Sequence, residues 1–229
     1  MKIIIISLFT SAFLISQSYT VSIFGIPAVD VDQKIDNQGE IIFSTQNRGI
    51  FDTVWPAKNK YTTKYNPKSF ELIQWGKRIR QGSFKTNHFA KLDSNNFLIY
   101  NNKTKIKVKN ETLNIFSLIA IVQNKSFSEL DTKWFNYEHE GQIGKARFVW
   151  ADSVNLYWNK DSIMCDHFRL DLKITDRKSQ FLNKTDYFMN EIINENLVRE
   201  IWVKQKEPKK IVQASIQYPF MTVMAILNE

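Results

Sequence analysis

Alternation of apolar and polar residues is clearest in the second half of the chain. From Ile163 onward, one set of alternate positions is apolar and the other is polar or charged; the apolar set is Phe168, Leu170, Leu172 and Ile174, and the polar set is His167, Arg169, Asp171 and Lys173. A period of two residues is typical of an antiparallel strand with one face in the core and one in water. The pattern therefore predicts a half-buried strand.

Shorter segments of the same character predict strands over most of the remaining chain. They are separated by Asn, Gly, Pro and Asp, which favour turns. The predicted strands are Glu40–Thr45, Gly49–Trp55, Lys60–Tyr65, Phe70–Ile79, Gly82–Phe89, Asn96–Tyr100, Lys103–Lys109, Lys145–Trp150, Ser153–Trp158, Leu197–Lys204, Lys210–Tyr218 and Phe220–Leu227. The first two flank Gln46-Asn47-Arg48-Gly49, a sequence that indicates a hairpin turn.

Two segments have the pattern of helices, and a third is a weaker candidate. Leu113–Val122 is apolar on almost every side, which is typical of a buried helix. Asp186–Asn194 predicts a short surface helix, and Ser128–Glu138 is the weaker candidate. Strands before and after one buried helix predict a mainly β (α+β) fold. We expect a curved antiparallel sheet or half-open barrel wrapped around a buried apolar helix.

The first residues have the pattern of a secretory signal peptide. Lys2 precedes an apolar run over Ile3–Ile15, and small residues at Ser16 and Ser18 suit cleavage after Ser18. An uncleaved anchor is the alternative, but a spanning helix needs roughly 20 apolar residues. We therefore expect residues 1–18 to be a signal peptide and residues 19–229 to be a single β-rich domain. The protein would then be exported, as a periplasmic or secreted protein.

Composition narrows the class of protein and the chemistry of its neighbours. The chain is 43% hydrophobic and 14% aromatic, which is typical of a globular protein. Its net charge of +8 suits anionic neighbours, including lipid headgroups and envelope polymers, although solubility alone is an alternative. Export argues against nucleic acid as a partner. Cys165, the single cysteine, cannot form an internal disulfide, so it is either buried or reactive.

Three short segments resemble a family of exported bacterial proteins known as domain of unknown function 3108. They are Tyr65-Asn66-Pro67-Lys68-Ser69, Arg80-Gln81-Gly82 and Thr112-Leu113-Asn114-Ile115-Phe116-Ser117-Leu118. The resemblance implies a half-open β-barrel around a helix, similar to the lipoprotein carriers LolA and LolB, which hold acyl chains on their concave face. In this chain the apolar helix could itself fill the concavity. The resemblance implies no catalytic residues.

Two groups of residues are candidates for ligand binding. Arg78 and Arg80 share a strand face beside Gln81, and paired guanidinium groups can hold a carboxylate or phosphate. A solvated strand edge protected by charge is the alternative. The second group is Trp134, Phe135 and Tyr137, aromatic rings in a stretch that we expect to be a loop. Aromatic rings can line a groove for lipid or sugar, although in a curved sheet they also fill the core.

Cys165, His167 and His139 are the remaining chemical candidates, as a metal site or a Cys-His pair. Metal sites need about four converging ligands, and the chain has neither a Cys-x-x-Cys nor a His-Glu-x-x-His. We therefore predict no metal, no cofactor and no catalytic residue.

The sequence as a whole favours a non-enzymatic cell-envelope protein that binds a lipid, lipoprotein or anionic envelope polymer on a curved sheet. It would be soluble or in peripheral contact with a membrane. A structural or assembly partner of an envelope complex, with a filled barrel, is the alternative. A hydrolase using Cys165 and His167 is the third hypothesis.

Overall fold

Strands account for most of the computed structural model, which describes residues 14–177 and 186–228. The strands are β1 Leu14–Ile23, β2 Ile26–Asp36, β3 Glu40–Asn47, β4 Lys58–Tyr65, β5 Leu72–Gln81, β6 Phe84–Leu92, β7 Phe97–Tyr100, β8 Thr104–Lys107, β9 Thr112–Leu113, β10 Trp134–His139, β11 Gln142–Trp158, β12 Asp161–Arg177, β13 Val198–Lys204, β14 Ile211–Gln217 and β15 Thr222–Leu227. The helices are α1 Gly49–Val54, α2 Ile115–Val122, α3 Phe127–Leu130 and α4 Tyr187–Ile192. The predicted mainly β class is confirmed.

The strands form one sheet that is built from two meanders. β1 to β8 follow one another from the centre of the sheet to one edge, and β15 back to β9 run from the centre to the other edge. β1 and β15 join the two halves, with Tyr19 opposite Leu227 and Ile23 opposite Val223. Neighbouring strands are antiparallel except β9 and β10, which are parallel.

The connection between the two edge strands explains why the sheet is curved. β8 ends at Lys107 and β9 begins at Thr112, although they lie at opposite edges of the strand order. A linker this short spans at most about 17 Å when fully extended. The sheet must therefore curl until its edges are near each other, while the edges themselves remain unpaired among the described residues. The curved antiparallel sheet is as predicted.

Two predicted strands are one continuous strand in the structure. Lys145–Trp150 and Ser153–Trp158 both belong to β11, so the prediction of two separate strands is wrong. The register with β12 shifts between Trp150 and Asp152, so the break is a β-bulge. A bulge bends a strand and raises its twist without ending it, which serves a sheet that has to curl.

The segment Gly49–Trp55 was predicted as a strand but contains helix α1. β3 pairs directly with β4, from Glu40 opposite Lys64 to Gln46 opposite Lys58, so α1 is a connection outside the sheet. Its apolar residues Ile50 and Val54 are four residues apart, a helical spacing. The candidate helix over Ser128–Glu138 is also corrected, because only α3 is helical there and β10 begins at Trp134.

Helix α2, predicted over Leu113–Val122, begins with a reciprocal cap. Asn114 Oδ1 accepts a hydrogen bond from the Ser117 backbone N–H, and Ser117 Oγ accepts one from the Asn114 N–H. Seven of the eight α2 residues are buried, and the helix contacts β3, β4, β9 and β10. The Phe116 ring centroid lies 5.4 Å from both the Phe43 and Tyr61 centroids.

The described residues contain no helix long and apolar enough to cross a membrane.

The predicted signal peptide lies largely outside the described residues, which begin at Leu14. The predicted cleavage point after Ser18 falls within β1, where Leu14–Ser18 pairs with Asp32–Asp36 of β2. Gln17 is buried, and its Nε2 donates a 2.8 Å hydrogen bond to Gln123 Oε1 after helix α2. Cleavage after Ser18, which stays a prediction, would remove the first five residues of this strand.

Candidate functional site

An apolar cavity of about 170 Å³ lies between the inward face of the sheet and helices α2 and α4. Its walls come from β1 to β4 and β12 to β15, whose alternate residues point inward. Most of the lining side chains are apolar, among them Val21, Val31, Phe43, Phe116, Ile192 and Val223. Because apolar walls offer few hydrogen bonds, the cavity suits an apolar group better than water or an ion.

The two charged side chains that reach the cavity, Arg199 and Glu200, are bonded to other protein groups. The Arg199 guanidinium donates to the carbonyl oxygens of Ile192, Asn194 and Leu197, at the end of α4. Burial lowers the pKa of Arg199. Glu200 accepts a 2.6 Å hydrogen bond from Gln217 Nε2. Arg199 connects α4 to β13 and Glu200 connects β13 to β14, so neither charge is left free in the cavity.

A buried charged cluster adjoins the cavity at Tyr61. Lys77 Nζ lies 2.6 Å from Glu140 Oε1 and 3.4 Å from Asp186 Oδ2, and all three side chains are buried. The Tyr61 hydroxyl, whose ring lines the cavity, lies 3.0 Å from both oxygens of Asp186. Burial and the neighbouring Asp186 raise the pKa of Tyr61 well above its ordinary value, so it stays a hydrogen-bond donor.

The glutamate in this cluster belongs to a hairpin turn that lies inside the protein. Glu140 and Gly141 connect β10 to β11 with φ angles of 50° and 82°, and His139 pairs with Gln142. Positive φ at both central residues is typical of a type I′ turn, which usually lies at the surface. Here the turn is buried, and the ion pair with Lys77 compensates the charge of Glu140.

The two residues before this turn are buried and titrate outside their ordinary ranges. Glu138 accepts hydrogen bonds from the Tyr100 hydroxyl and the Gly141 N–H, and burial raises its pKa to about 7. His139 stacks on Trp75 with ring centroids 5.7 Å apart. Burial, with a contribution from Lys77, lowers the pKa of His139 to about 3. His139 is therefore neutral at pH 7 and packs as an aromatic ring.

The structure brings Arg78 and Arg80 together but not Gln81. Both arginines are exposed on the outward face of β5, with Lys60 opposite Arg78 and Lys85 opposite Arg80. Gln81 is buried on the other face of the strand. The predicted arginine pair therefore has two lysines beside it and no glutamine.

The three predicted aromatic residues do not form one surface. They lie in β10 instead of the expected loop, so Trp134 points outward while Phe135 and Tyr137 point inward. Trp134 is covered by the Arg147 guanidinium, 4.6 Å from its ring centroid. Phe135 packs edge-on against Phe148, and Tyr137 is fully buried. Strand alternation therefore divides the predicted groove between two faces of the sheet.

Cys165 and His167 lie two residues apart in β12, far from His139 in β10. His139 pairs with Gln142 and Cys165 pairs with Val154, which are about 40 Å apart along β11. Burial raises the pKa of the Cys165 thiol to about 11, the opposite of what a nucleophilic cysteine needs. Within residues 14–177 and 186–228, no group of three or more His, Cys, Asp or Glu side chains could hold a metal ion.

The charged cluster was missed in the sequence, although a signal for it exists. Trp75, Lys77 and Ile79 occupy alternate positions of β5, so Lys77 lies on the apolar parity of its strand. A lysine at such a position needs a buried carboxylate partner. The partners, Glu140 and Asp186, are 63 and 109 residues away, and no local pattern identifies them.

Comparisons with known proteins show a shared fold and no assigned function. No protein-family model matches the chain, and no curated protein matches it. It is similar to the crystal structure of a β-barrel-like protein of domain of unknown function DUF1849 from Brucella abortus. The TM-score is 0.59 at 7% sequence identity, over 95% of this chain and 96% of that chain. This likeness supports a barrel-like fold shared with an uncharacterised family, and it does not single out domain of unknown function 3108, LolA or LolB.

Proposed function

We propose that this protein is a non-catalytic binding protein that holds an apolar group, such as the end of an acyl chain, in the cavity beside α2. The observation that carries the proposal is the apolar lining of this cavity, whose two charged residues, Arg199 and Glu200, already form hydrogen bonds with other protein groups. An engineered apolar cavity of about 150 Å³ in another protein stays dry and binds benzene. The volume here, about 170 Å³, suits a group of that size.

The size of the cavity limits what fits inside it. Pockets for whole drug-sized ligands occupy about 300–1,000 Å³. A cavity of about 170 Å³ therefore takes one ring or a short length of hydrocarbon chain, and the rest of a lipid would remain outside. In this proposal the sheet is a half-open barrel that wraps around α2, and α2 fills much of its concave side.

The proposed setting is the cell envelope. It rests on the signal-peptide pattern in residues 1–18, which favours export to the periplasm or secretion. Membership of domain of unknown function 3108, with a LolA-like or LolB-like barrel, belongs to the same proposal. The ligand would be a lipid, the acyl chain of a lipoprotein or an envelope polymer with an apolar substituent.

Binding of decanoate to a cavity-filling variant tests the proposal. Ala214 lines the cavity, whereas Ala151 is exposed on the bulge of β11, so Ala151→Leu is a matched control for Ala214→Leu. By isothermal calorimetry we expect one decanoate per chain, binding about tenfold weaker to A214L, and an unchanged affinity for A151L. Equal affinities for both variants, or no binding by the wild type, would contradict the proposal.

A structural or assembly role in an envelope complex is the second candidate. The observation that favours it is the burial of seven of the eight α2 residues, which occupy space that a carrier would leave open. Native mass spectrometry separates the two candidates. A bound lipid mass on the purified protein supports the carrier. A bare mass together with a crosslinked protein partner in cells supports the assembly role.

A further inference from the structure

Four connections meet at one end of the sheet, and three of them expose large apolar side chains. β14, β15 and β1 to β6 are consecutive antiparallel neighbours, so the β1–β2, β3–β4, β5–β6 and β14–β15 connections lie at the same end. Phe24 is 69% exposed, Ile50 68%, Val54 76% and Phe220 95%. We call the exposed apolar residues of these connections the apolar rim: Phe24, Ile26, Ile50, Val54, Trp55 and Phe220.

The turn that carries Phe24 is built against local preference. Phe24 and Gly25 form the two-residue connection between Ile23 and Ile26, with φ angles of 51° and 75°. Asn and Gly favour such positions, whereas a bulky residue with positive φ is uncommon. Because the Phe24 ring is largely exposed, packing inside the protein does little to offset this cost. A contact outside the chain would account for a phenylalanine here.

A basic face borders the apolar rim. It consists of five exposed cations on the outward positions of β4 to β6, namely Lys58, Lys60, Arg78, Arg80 and Lys85. Lys60 is directly opposite Arg78, and Arg80 is directly opposite Lys85. Like charges at opposed positions destabilise a sheet. None of the five forms an ion pair with any residue that the structure describes, so their charge is available to an anionic surface.

Hydrogen bonds hold the apolar rim and the basic face next to each other. The Gly82 N–H, in the β5–β6 connection, donates a 2.8 Å hydrogen bond to the Pro56 carbonyl beside Trp55. Ala57 also forms a bridge with Gln81. Arg78, Arg80 and Lys85 line a shallow surface depression with Thr86 and Asn87. Asp30 of β2 lies near the rim and pairs with Arg48 at 2.9 Å. Asp52 of α1 is the acidic side chain within the described rim connections.

We propose that this end of the sheet docks on an anionic lipid bilayer, with the apolar rim entering the interfacial region and the basic face meeting the headgroup phosphates. Membrane-surface segments combine these two features. Nucleic acid would use the cations and could stack on the rings of the rim, but the exposed aliphatic Ile26, Ile50 and Val54 favour a hydrocarbon phase over bases. The docking surface shares no residue with the cavity lining, so this proposal does not rest on the proposed ligand binding.

Co-sedimentation with lipid vesicles tests the charged part of the surface. We expect the purified protein to bind vesicles of phosphatidylcholine and phosphatidylglycerol, more weakly as salt is raised, and to bind phosphatidylcholine alone poorly. The double variant R78Q/R80Q should bind about tenfold or more weakly. The control K160Q/K206Q removes the same charge from exposed lysines at the opposite end of the sheet and should bind like the wild type.

A second pair of variants tests the apolar part. Phe220→Ser removes an exposed ring from the apolar rim, and Tyr157→Ser removes a ring that is 79% exposed on β11, away from it. We expect F220S to bind vesicles about tenfold more weakly and Y157S to be unchanged. All of the substituted residues are exposed, so we expect every variant to fold. A thermal unfolding curve for each variant checks this.

Several results would overturn the docking proposal. Equal binding to neutral and anionic vesicles, or equal losses in R78Q/R80Q and K160Q/K206Q, would remove the basic face from it. Binding to duplex DNA as tight as to vesicles, unaffected by F220S, would indicate a nucleic-acid surface. A214L separates the two proposals, because it should weaken decanoate binding and leave vesicle binding intact. If the wild type binds vesicles but not decanoate, the cavity proposal fails. If it binds decanoate but not vesicles, the docking proposal fails.

Discussion

Lys77 and Glu140 form an ion pair in the interior of the protein, with Lys77 Nζ 2.6 Å from Glu140 Oε1 and both side chains almost inaccessible to water. The lysine belongs to β5 and the glutamate to a hairpin turn at the other edge of the sheet. The pair therefore connects the two meanders across the concave side. Asp186, which caps α4, also contacts Lys77 and extends the connection to that helix.

Replacing Lys77 with methionine should destabilise the protein strongly. The variant K77M keeps most of the side-chain volume but leaves the carboxyl groups of Glu140 and Asp186 buried without their cation. We expect the free energy of unfolding in urea to fall by about 3–5 kcal/mol. The control is K125M, which breaks the exposed pair of Lys125 with Glu129 and should leave the free energy of unfolding almost unchanged, because water screens that pair. Similar losses in the two variants would contradict the assignment.

Glu138 should make the folded protein less stable as the pH rises. Its pKa is about 7 in the folded protein and 4.5 ordinarily, so the folded state binds the proton more tightly than the unfolded chain. Stability from this group is present below pH 4.5 and declines until about pH 7, by about 3 kcal/mol in total. Glu138→Gln mimics the protonated side chain and should remove this decline. Parallel pH profiles for E138Q and the wild type would contradict the prediction.

Titration of His139 should make the folded protein more stable as the pH rises, over a lower range of pH than the titration of Glu138. Its pKa is lowered from 6.5 to about 3, so the unfolded chain binds the proton more tightly and stability rises with pH between these values. In the wild type this rise opposes the decline from Glu138. E138Q should therefore show a rising unfolding free energy from about pH 4 to pH 6.5, and H139F in the same assay should show only the decline. A flat profile for E138Q would be inconsistent with a buried, neutral His139.

Cys165 should be unreactive in the folded protein. Its side chain is buried and its thiol pKa is raised to about 11, so about one thiol in a thousand is ionised at pH 8. We expect a disulfide reagent such as Ellman's reagent to label it slowly in buffer and at once in urea. Rapid labelling of the native protein would show an accessible thiol and would revive the hydrolase hypothesis for Cys165 and His167.

The position of the amino terminus should affect stability. A chain that begins at Tyr19 lacks Leu14–Ser18 of β1, including the buried Gln17 that bonds to Gln123. Compared with a chain that begins at Leu14, we expect a loss on the order of 3 kcal/mol in urea unfolding, because buried polar groups lose their partners. Equal stabilities would indicate that cleavage after Ser18 leaves the fold intact. Sequencing the amino terminus of the protein recovered from expressing cells tests whether the chain is cut after Ser18.

The sequence predicted those elements whose pattern is local. The alternation around Phe168 and Leu170 corresponds to β12, and the apolar run before Val122 corresponds to α2. It failed at α1, because Ile50, Phe51, Val54 and Trp55 suit a strand by residue type and a helix by spacing. Strand propensity reflects the surface on which a segment packs, and no such surface is visible in a short local window.

The candidate sites were harder to predict than the fold. Arg78 and Arg80 were identified because they are two positions apart in one strand. Their lysine neighbours come from adjacent strands, and the register that places them is not evident in the sequence. The cavity is harder still, because its walls combine residues from Tyr19 to Ala225. An empty volume depends on how side chains pack, which residue patterns do not encode.

The pairing of β1 with β15 has a consequence for how the chain is made. During synthesis β1 emerges early, but its second partner contains Leu227, and the Thr20 hydroxyl bonds to Asn228, 208 residues later. Until β15 leaves the ribosome, β1 has one unpaired edge that can pair with other chains. Contacts so distant in sequence also make folding slow. A nascent chain whose central strand pair is incomplete is therefore exposed to aggregation through that edge.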